Sequence, residues 1–447
     1  MKKIILICIL LLIMQLIYAE TFINLNDAIE LAKENNYTLK SSFYEMESAR
    51  WSSRNSKTQF LPKLNLNQTA VILDKERILM PEIDLGGAVI PETKQDRKNF
   101  NTSIQLEQIL FAGGKIYNAS KIAELQYEIS KNNYGKQLKE LSAKVTEYYY
   151  QILKTQAILR TLQIHKNLCE EIKSNAEVLY NNGIGLETDV MQWELKIIEI
   201  ENQIIQTDTA MKLLLDNWAL VLNLDSTYDI PLPQIIELED ISAEISSYMT
   251  MSQVEKREQM LEYLEKVQKG NYDIDNLQKG KQTLNHLDKI AKADFMPSLF
   301  VSMNYEIEND NKLNFKGDDN WQIMANISIP LFHSGRNYTN YKAQQYQIKS
   351  QLSQIEENTK GLDILAKQAW YDHDSSSHTV KQSKKSYSLA EKALNITRRL
   401  YQQGMATNLA LTEAQSSFQD SEIQYTNSIY DYIINKSNLN KFTGEVK

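Results

Sequence analysis

Long stretches of the chain repeat apolar residues at alternating intervals of three and four, a pattern typical of coiled-coil helices. One such run begins after Val190 and consists of Trp193, Ile197, Ile200, Ile204, Met211, Leu214, Trp218 and Val221. Runs of this kind predict two very long helices, over residues 113–180 and 334–401, each followed by a second helix, over 186–222 and 407–442. At 1.5 Å per residue, each long helix would measure about 100 Å.

Before or between these helices, four segments place apolar residues at every second position, which is typical of strands with one apolar face. We predict strands at about residues 62–73, 99–111, 298–308 and 321–332. The last two alternate most cleanly, reading "SLFVSMNYEI" and "WQIMANISIPL". Strands of this length fit a tilted crossing of a bilayer, although half-buried strands of a soluble sheet give the same pattern.

Short phrases recur at a fixed distance and indicate an internal duplication. "LFAGGK" returns as "LFHSGR", with Gly335 placed 221 positions after Gly114. "LYNNGIG" returns as "LYQQGMA", with Gly404 again 221 positions after Gly183. "QFLPKL" and "DFMPSL" form a third match at an offset of 235, so the first half has a longer connection between its strands.

The duplication divides the chain into two structural repeats. We predict the first repeat over residues 20–222, beginning with a helix at about 27–60, and the second over 253–447. Residues 223–252, less regular and containing Pro231 and Pro233, lie between the two repeats, and the residues alone allow a plain interdomain linker there. Each repeat then has the order helix, strand, loop, strand, glycine turn, long helix, glycine turn and second helix.

The first residues, "MKKIILICILLLIMQLIYAE", have a basic start, a short apolar run and a small residue at Ala19. This predicts a secretory signal peptide over residues 1–19. The apolar run is shorter than the roughly 20 residues that span a bilayer. Removal of the signal leaves Cys169 as the only cysteine, so an intrachain disulfide is excluded from the mature chain.

The net charge argues against one class of partner, nucleic acid. The chain has 49 basic and 57 acidic residues and a formal charge of −8, without a basic stripe interleaved with aromatic residues. We therefore expect no nucleic-acid partner. Since no apolar run of helical transmembrane length follows the signal, a mature chain that spans a membrane must use strands.

Four strands cannot close a barrel, and an open sheet in lipid leaves unpaired N–H and C=O groups at its edges. Three copies would supply twelve strands, within the range of outer-membrane barrels. The sequence thus predicts a homotrimer whose strands contact outer-membrane lipid. The two repeated phrases mark the strand-to-helix turns and contain Gly113, Gly114, Lys115, Gly335 and Arg336.

With these features the chain resembles the TolC family of outer-membrane efflux proteins. The resemblance extends over nearly all of the mature sequence. It depends on the duplication, the two strand-exit phrases, "NLNDAIELAKENNYTLKSS" over 24–42 and "YNNGIGLETDVMQWE" over 180–194. It implies an α+β membrane protein: a trimeric twelve-stranded β-barrel, four strands per chain, continued by a long α-helical coiled-coil barrel. The resemblance also implies that residues 223–252 form an equatorial segment around the helical barrel.

The resemblance also implies a function. The family provides the exit duct of tripartite efflux or type I secretion systems, located in the outer membrane of Gram-negative bacteria and extending into the periplasm. Its partners are a periplasmic adaptor, or membrane fusion protein, and an inner-membrane pump. Sequence alone does not separate drug, metal, small-molecule and protein cargo.

Residue roles follow from the same resemblance. The adaptor-contact helix turns map onto Gly183, Ile184, Gly404 and Met405. Links that keep the periplasmic entrance shut map onto Asp189 and Tyr401. The family has a basic residue where this chain has Ala406, and two ring-forming acidic residues where it has Ala410 and Glu413. Part of the entrance latch is therefore absent, and Glu413 is the acidic ring residue that remains.

No catalytic or metal chemistry is expected. His373 and His378 are five positions apart, which does not place both on one helix face. "GGK" at 113–115 lacks the rest of a phosphate-binding loop. We expect no enzyme activity, metal or cofactor. The alternative function is an envelope-spanning structural or adhesive trimeric coiled-coil protein with a barrel anchor, but such proteins usually place their strands at one end of the chain.

Overall fold

The structure, a computed structural model, describes residues 22–95, 97–224, 231–234, 239–309 and 317–443. The predicted signal peptide lies outside the described residues, as does part of the predicted equatorial segment. The chain divides into two compact units. We call residues 45–131 and 276–357 the sheet unit, and residues 1–44, 132–275 and 358–447 the helical unit.

The elements, numbered in chain order, have the following bounds. The strands are β1 Phe22–Ile23, β2 Lys63–Ile72, β3 Arg77–Met80, β4 Ile83–Asp84, β5 Val89–Ile90, β6 Thr93–Gln95, β7 Lys98–Ala112, β8 Leu232–Pro233, β9 Ser298–Asn309 and β10 Asp318–Ser328. The helices are α1 Leu25–Asn35, α2 Tyr37–Thr58, α3 Lys115–Asn181, α4 Glu187–Leu222, α5 Glu239–Thr250, α6 Gln253–Gly270, α7 Tyr272–Lys292, α8 Arg336–Gln402 and α9 Asn408–Phe442. None of the helices in the described ranges is apolar over enough of its length to cross a membrane.

The sheet unit contains an antiparallel four-stranded sheet in the order β10, β9, β7, β2. Each repeat contributes one hairpin, and the two hairpins are joined by pairing of β7 with β9. The edge strands are therefore β2 and β10. The longer connection of the first repeat forms a hairpin extension in which β3 pairs with β6 and β4 with β5.

Strand register aligns residues of one kind across the whole sheet. Leu66 lies opposite Ile104, Ile104 opposite Tyr305, and Tyr305 opposite Trp321. A second apolar row consists of Leu64, Leu106, Met303 and Ile323. Polar rows alternate with these, among them Asn65, Gln105, Asn304 and Gln322. Since successive side chains point to opposite faces, the sheet has one apolar face and one polar face.

The last predicted strand needs correction. We placed it at 321–332, but β10 is Asp318–Ser328. Pro330 has no N–H to donate to a ladder, so the strand ends before it. The alternation of Ile329 and Leu331 continues beyond the strand without belonging to it.

The first predicted helix, at 27–60, is two helices. Asn36 separates α1 from α2, and its side-chain oxygen accepts a hydrogen bond from the N–H of Leu39 at 2.9 Å. Asn271 separates α6 from α7 in the same way, accepting from the N–H of Asp273 at 2.9 Å. Asn271 lies 235 positions after Asn36, so this break is part of the duplication. The apolar pattern continues across both breaks and gave no sign of them.

The core of the helical unit comes from the heptad positions. One cluster centres on Val145, Tyr149, Ile152, Trp218 and Leu222, and a second on Leu162, Trp193, Ile200 and Leu411. Several of these side chains are fully buried. Burial of one large apolar side chain contributes about 1.5–3 kcal/mol relative to exposure, so the seams supply most of the driving force for helix packing.

Two polar contacts attach part of the equatorial segment to this core. The indole N–H of Trp218 donates to the carbonyl oxygen of Pro231 at 2.9 Å. The hydroxyl of Tyr149 donates to the carbonyl oxygen of Gln234 at 3.1 Å. Between these anchors, β8 pairs in parallel with β1. The described part of residues 223–252 is thus a short strand and the helix α5.

The two strand-to-helix turns predict different costs for added side chains. A Cβ on Gly113 would lie 2.8 Å from the Cβ of Met296, and the φ of Gly113 is +61°. Gly335 has a φ of +78° but no heavy atom within 4 Å of such a Cβ. An L-residue in the left-handed region costs about 1–2 kcal/mol. Gly335→Ala should incur that cost alone, whereas Gly113→Ala should incur it together with a steric clash.

The measurement is thermal unfolding of both purified variants in detergent by circular dichroism. Gly113→Ala is expected to lower the melting temperature more than Gly335→Ala. Equal losses would contradict the packing account of the first turn.

Candidate functional site

Two helix-to-helix turns in the helical unit share one geometry. The N–H of Gly183 donates to Tyr180 at 2.8 Å, and the N–H of Ile184 donates to Leu179 at 3.0 Å. The second turn repeats both bonds, from Gly404 to Tyr401 at 2.9 Å and from Met405 to Leu400 at 2.9 Å. Both glycines have a φ of +72°. These are Schellman turns, in which a left-handed glycine allows the last carbonyls of a helix to be satisfied.

The surface of the two turns is small and apolar. Ile184 is 79% exposed and Met405 66% exposed. A Cβ added to Gly183 or Gly404 would meet no heavy atom within 4 Å. Exposed apolar side chains beside open glycines leave room for another protein to approach the backbone closely.

A buried hydrogen bond connects the helices that leave these turns. The indole N–H of Trp193, on α4, donates to the side-chain oxygen of Asn408, the first residue of α9, at 2.6 Å. Both side chains are buried. The Asn408 amide nitrogen donates to the side chain of Gln192 at 2.8 Å and to the carbonyl oxygen of Asp189 at 3.4 Å. Asn408 therefore fixes the start of α9 against the first turns of α4.

The structure places Asp189 near enough to Tyr401 for the carboxylate charge to act on the tyrosine hydroxyl. Burial raises the pKa of Tyr401, and the nearby Asp189 carboxylate raises it further. A tyrosine held neutral beside a carboxylate can act as a hydrogen-bond donor to it. Glu413, the third predicted entrance residue, is exposed on α9, five positions beyond Asn408.

The predicted strand-to-helix turns lie in the sheet unit. Gly113 and Gly114 follow β7 with φ of +61° and +82°. The Lys115 ammonium, at the start of α3, forms an ion pair with the Asp294 carboxylate. In the second turn Ser334, at φ +50°, stands where the first has Gly113, and Gly335 follows at +78°. Arg336 begins α8 and is exposed.

The histidines considered as metal ligands have other surroundings. His373 is buried, its ring lying against those of Tyr432 and Tyr248 at centroid distances of 5.1 and 5.4 Å, and burial lowers its pKa. His378 lies 3.4 Å from the Lys256 ammonium, which also contacts Asp374. In the described ranges, no three His, Cys, Asp or Glu residues are grouped so as to hold a metal ion.

Comparison with protein families assigns the chain. The model described as "Outer membrane efflux protein" matches residues 28–213 and 263–445, one segment in each repeat. The chain belongs to the outer membrane efflux protein family. No curated protein sequence matches it. The two matched segments agree with the duplication seen in the sequence.

Solved structures of similar fold cover nearly the whole efflux protein. The outer membrane protein VceC of Vibrio cholerae is 18% identical, with a TM-score of 0.77 over 94% of this chain and 96% of its own. The CmeC outer membrane channel of Campylobacter jejuni is 16% identical, with a TM-score of 0.77 over 94% and 85%. The open MtrE outer membrane channel of Neisseria gonorrhoeae is 17% identical, with a TM-score of 0.74 over 94% and 89%.

Family membership confirms the predicted fold class and the predicted function. The chain is an outer-membrane efflux channel with a duplicated arrangement of strand hairpins and long helices. The family is one of channels rather than enzymes, and the structural or adhesive alternative is set aside. The roles assigned to individual entrance, turn and adaptor residues remain predictions.

Sequence reasoning missed the contact between Trp193 and Asn408. The heptad pattern assigns Trp193 to an apolar seam, and no sequence motif includes Asn408. At the offset of 221, Trp193 corresponds to Ala414 and Asn408 to Glu187, so the pair departs from the duplication at both positions. Position-by-position comparison of the two repeats is the signal that would have found it.

The Trp193 and Asn408 pair yields a prediction on stability. Asn408→Ala leaves the buried indole N–H without a partner, at a cost of about 1–3 kcal/mol. In a Trp193→Phe background the same change should cost less, since no indole N–H remains. Urea unfolding of the two single variants, the double variant and the wild type measures the coupling between the residues. Additive effects would show that the short hydrogen bond does not stabilise this region.

Proposed function

We propose that three copies of this efflux protein close their sheets into one twelve-stranded barrel. The observation that supports this most strongly is the exposure of the two edge strands of the sheet. β10 is exposed along its whole length, and β2 along nearly all of it. Pairing β10 of one copy with β2 of the next would use both edges and leave none in the closed assembly.

Energetics favour this arrangement in lipid. An unpaired backbone N–H or C=O group costs several kcal/mol in a bilayer, and each free edge strand has such groups at alternate positions. The apolar rows ending at Leu66 and Trp321 would face lipid, and the polar rows would line a lumen. A twelve-stranded barrel is wide enough to leave that lumen open.

We assign the periplasmic entrance to the two turns of the helical unit. Asp189 and Tyr401 would hold the entrance shut, with Asn408 positioning Asp189 through its carbonyl oxygen. Ala406 and Ala410 supply no further charged links. Three copies of Glu413 around a narrow opening would concentrate cations there.

The exposed turns are proposed as the docking surface for the periplasmic adaptor. Gly183 and Gly404 would allow close approach of the adaptor backbone, and Ile184 and Met405 would bury apolar surface against it. An inner-membrane pump would then deliver cargo, which the duct conducts passively across the periplasm and outer membrane. Efflux of small molecules and secretion of proteins use this architecture alike; drug-sensitivity and secretome profiling of a deletion strain would tell which one operates.

Assembly gives the first test of the proposed function. Light scattering of the purified protein in detergent should give three times the chain mass, because the sheet that one chain contributes to the barrel has only four strands. A cysteine at Trp321 or Ile323 should react with a lipid-soluble maleimide and not with a charged one. A monodisperse monomer, or equal reaction with both reagents, contradicts the barrel.

The entrance gives the second test. Asp189→Ala and Tyr401→Ala should each raise the single-channel conductance of trimers in planar bilayers, since each removes one side of the same link. Tyr401→Phe isolates the contribution of the hydroxyl. Glu187→Ala is the matched control, because Glu187 is an exposed carboxylate in the same helical turn as Asp189. Unchanged conductance in both alanine variants rules out the latch.

A further inference from the structure

The helices attached to the two edge strands each have a line of exposed side chains with no helix packed against it in the described part of the chain. In the sheet unit, α2 leads into β2, and α8 follows β10. Trp51 on α2 is 61% exposed, and Tyr346 on α8 is 68% exposed. Exposed residues at intervals of three and four form one line on each helix, namely Ser48, Trp51, Asn55 and Thr58 on α2 and Thr339, Lys342, Tyr346, Lys349 and Ser353 on α8. This spacing is that of a coiled-coil contact.

The chain contains a filled example of the same arrangement. β7 pairs with β9, and the helices attached to them, α3 and α7, pack together in the sheet unit. The Asn118 side-chain oxygen lies 2.8 Å from Nδ1 of His286. The Lys279 ammonium lies 3.5 Å from the Glu128 carboxylate. Strand pairing therefore brings the following helix of one hairpin against the preceding helix of the other.

The duplication relates this contact to the exposed seams. Shifted by 221 positions, Asn118 of α3 corresponds to Thr339 of α8. Shifted by 235 positions, Trp51 of α2 corresponds to His286 of α7. Asn118 is buried where Thr339 is exposed, and His286 is half-buried where Trp51 is exposed. The positions that contact each other between α3 and α7 are therefore exposed at the equivalent places on α8 and α2.

Charge at these positions also fits a contact. Lys121 of α3 lies near His286, whose pKa is lowered first by burial and then by the charges of Lys289 and Lys121. Lys121 corresponds to Lys342 of α8. Lys121 lies near the imidazole of His286 within one chain. The equivalent contact between two copies would place Lys342 near the indole of Trp51. An ammonium over the face of an indole ring is attracted by the negative charge of that face.

We infer that Trp51 packs against Thr339 and Lys342 of the partner subunit, so that α2 and α8 form the helical seam between copies. The inference depends on the proposed pairing of β10 with β2. It goes further in naming the residues and the chemistry of the seam. Within its own chain, the Arg54 guanidinium lies 4.7 Å from the centroid of the Trp51 ring. Lys342 of the partner subunit would approach the same ring.

Cross-linking of the full-length chain tests this seam. The Trp51→Cys, Thr339→Cys double variant is treated with a short bismaleimide in detergent, and the subunits are separated under denaturing conditions. The Trp51→Cys, Ser353→Cys variant is the matched control, because Ser353 lies on the same line of α8 but about 14 residues, or about 21 Å, beyond Thr339. Native Cys169 gives little background, since it is buried and burial raises its pKa to about 11.

The experiment distinguishes failure of the proposed seam from failure of the proposed trimer. Covalent dimers and trimers in the first variant, and their loss in the control, support the seam. A trimer by light scattering that gives no cross-link, or equal cross-linking in both variants, overturns the inference and leaves the proposed assembly intact. A monomer overturns the proposed assembly and the seam with it.

A charge exchange supplies an independent readout. Trp51→Lys would place an ammonium against Lys342 of the partner subunit and should lower the temperature at which the trimer dissociates. Adding Lys342→Glu to the same chain should restore that temperature, since the two charges then attract. Lys342→Glu alone controls for the change in net charge. Failure of the second substitution to restore the trimer overturns the contact.

Discussion

The rest of this structure depends on the need of backbone groups for hydrogen-bond partners. Two hairpins from distant parts of the sequence pair through β7 and β9, and each leaves a strand at the edge. In water such an edge is tolerable, whereas in lipid it costs several kcal/mol for every unpaired group. In the proposed barrel, the rows of side chains that give the sheet its apolar face would lie against lipid. A single chain would then be an incomplete membrane structure, and its duplication supplies the two complementary edges.

Much of the fold is readable from the sequence because its determinants are local. Heptad spacing identifies the seams of α3, α4, α8 and α9, and period-two alternation identifies the strands. Glycines at Gly113, Gly183 and Gly404 mark turns since their backbone adopts the left-handed region. The end of β10 is also readable, because Pro330 lacks the donor that a ladder needs, even though the apolar alternation continues on either side of it.

Other features were beyond local reading. Asn36 and Asn271 each cap the helix that follows, yet the apolar pattern runs on across them, so nothing in hydrophobicity shows the break. Trp193 and Asn408 are distant in sequence and meet only because α4 and α9 both start at neighbouring turns of the helical unit. An asparagine at the start of a helix is common and signals nothing by itself. Its function depends on a buried indole N–H that needs an acceptor.

The duplication also shows where the two repeats have separate tasks. The strand hairpins and their attached helices retain equivalent positions, since each must form the same pairing. The entrance turns do not: Asp189 corresponds to Ala410, and Tyr401 to Tyr180. Both tyrosines are retained, whereas the carboxylate is present in one repeat only, and Tyr180 is exposed where Tyr401 is half-buried. In the proposed trimer this gives three links between tyrosine and carboxylate rather than six, and hence an entrance held shut by fewer contacts.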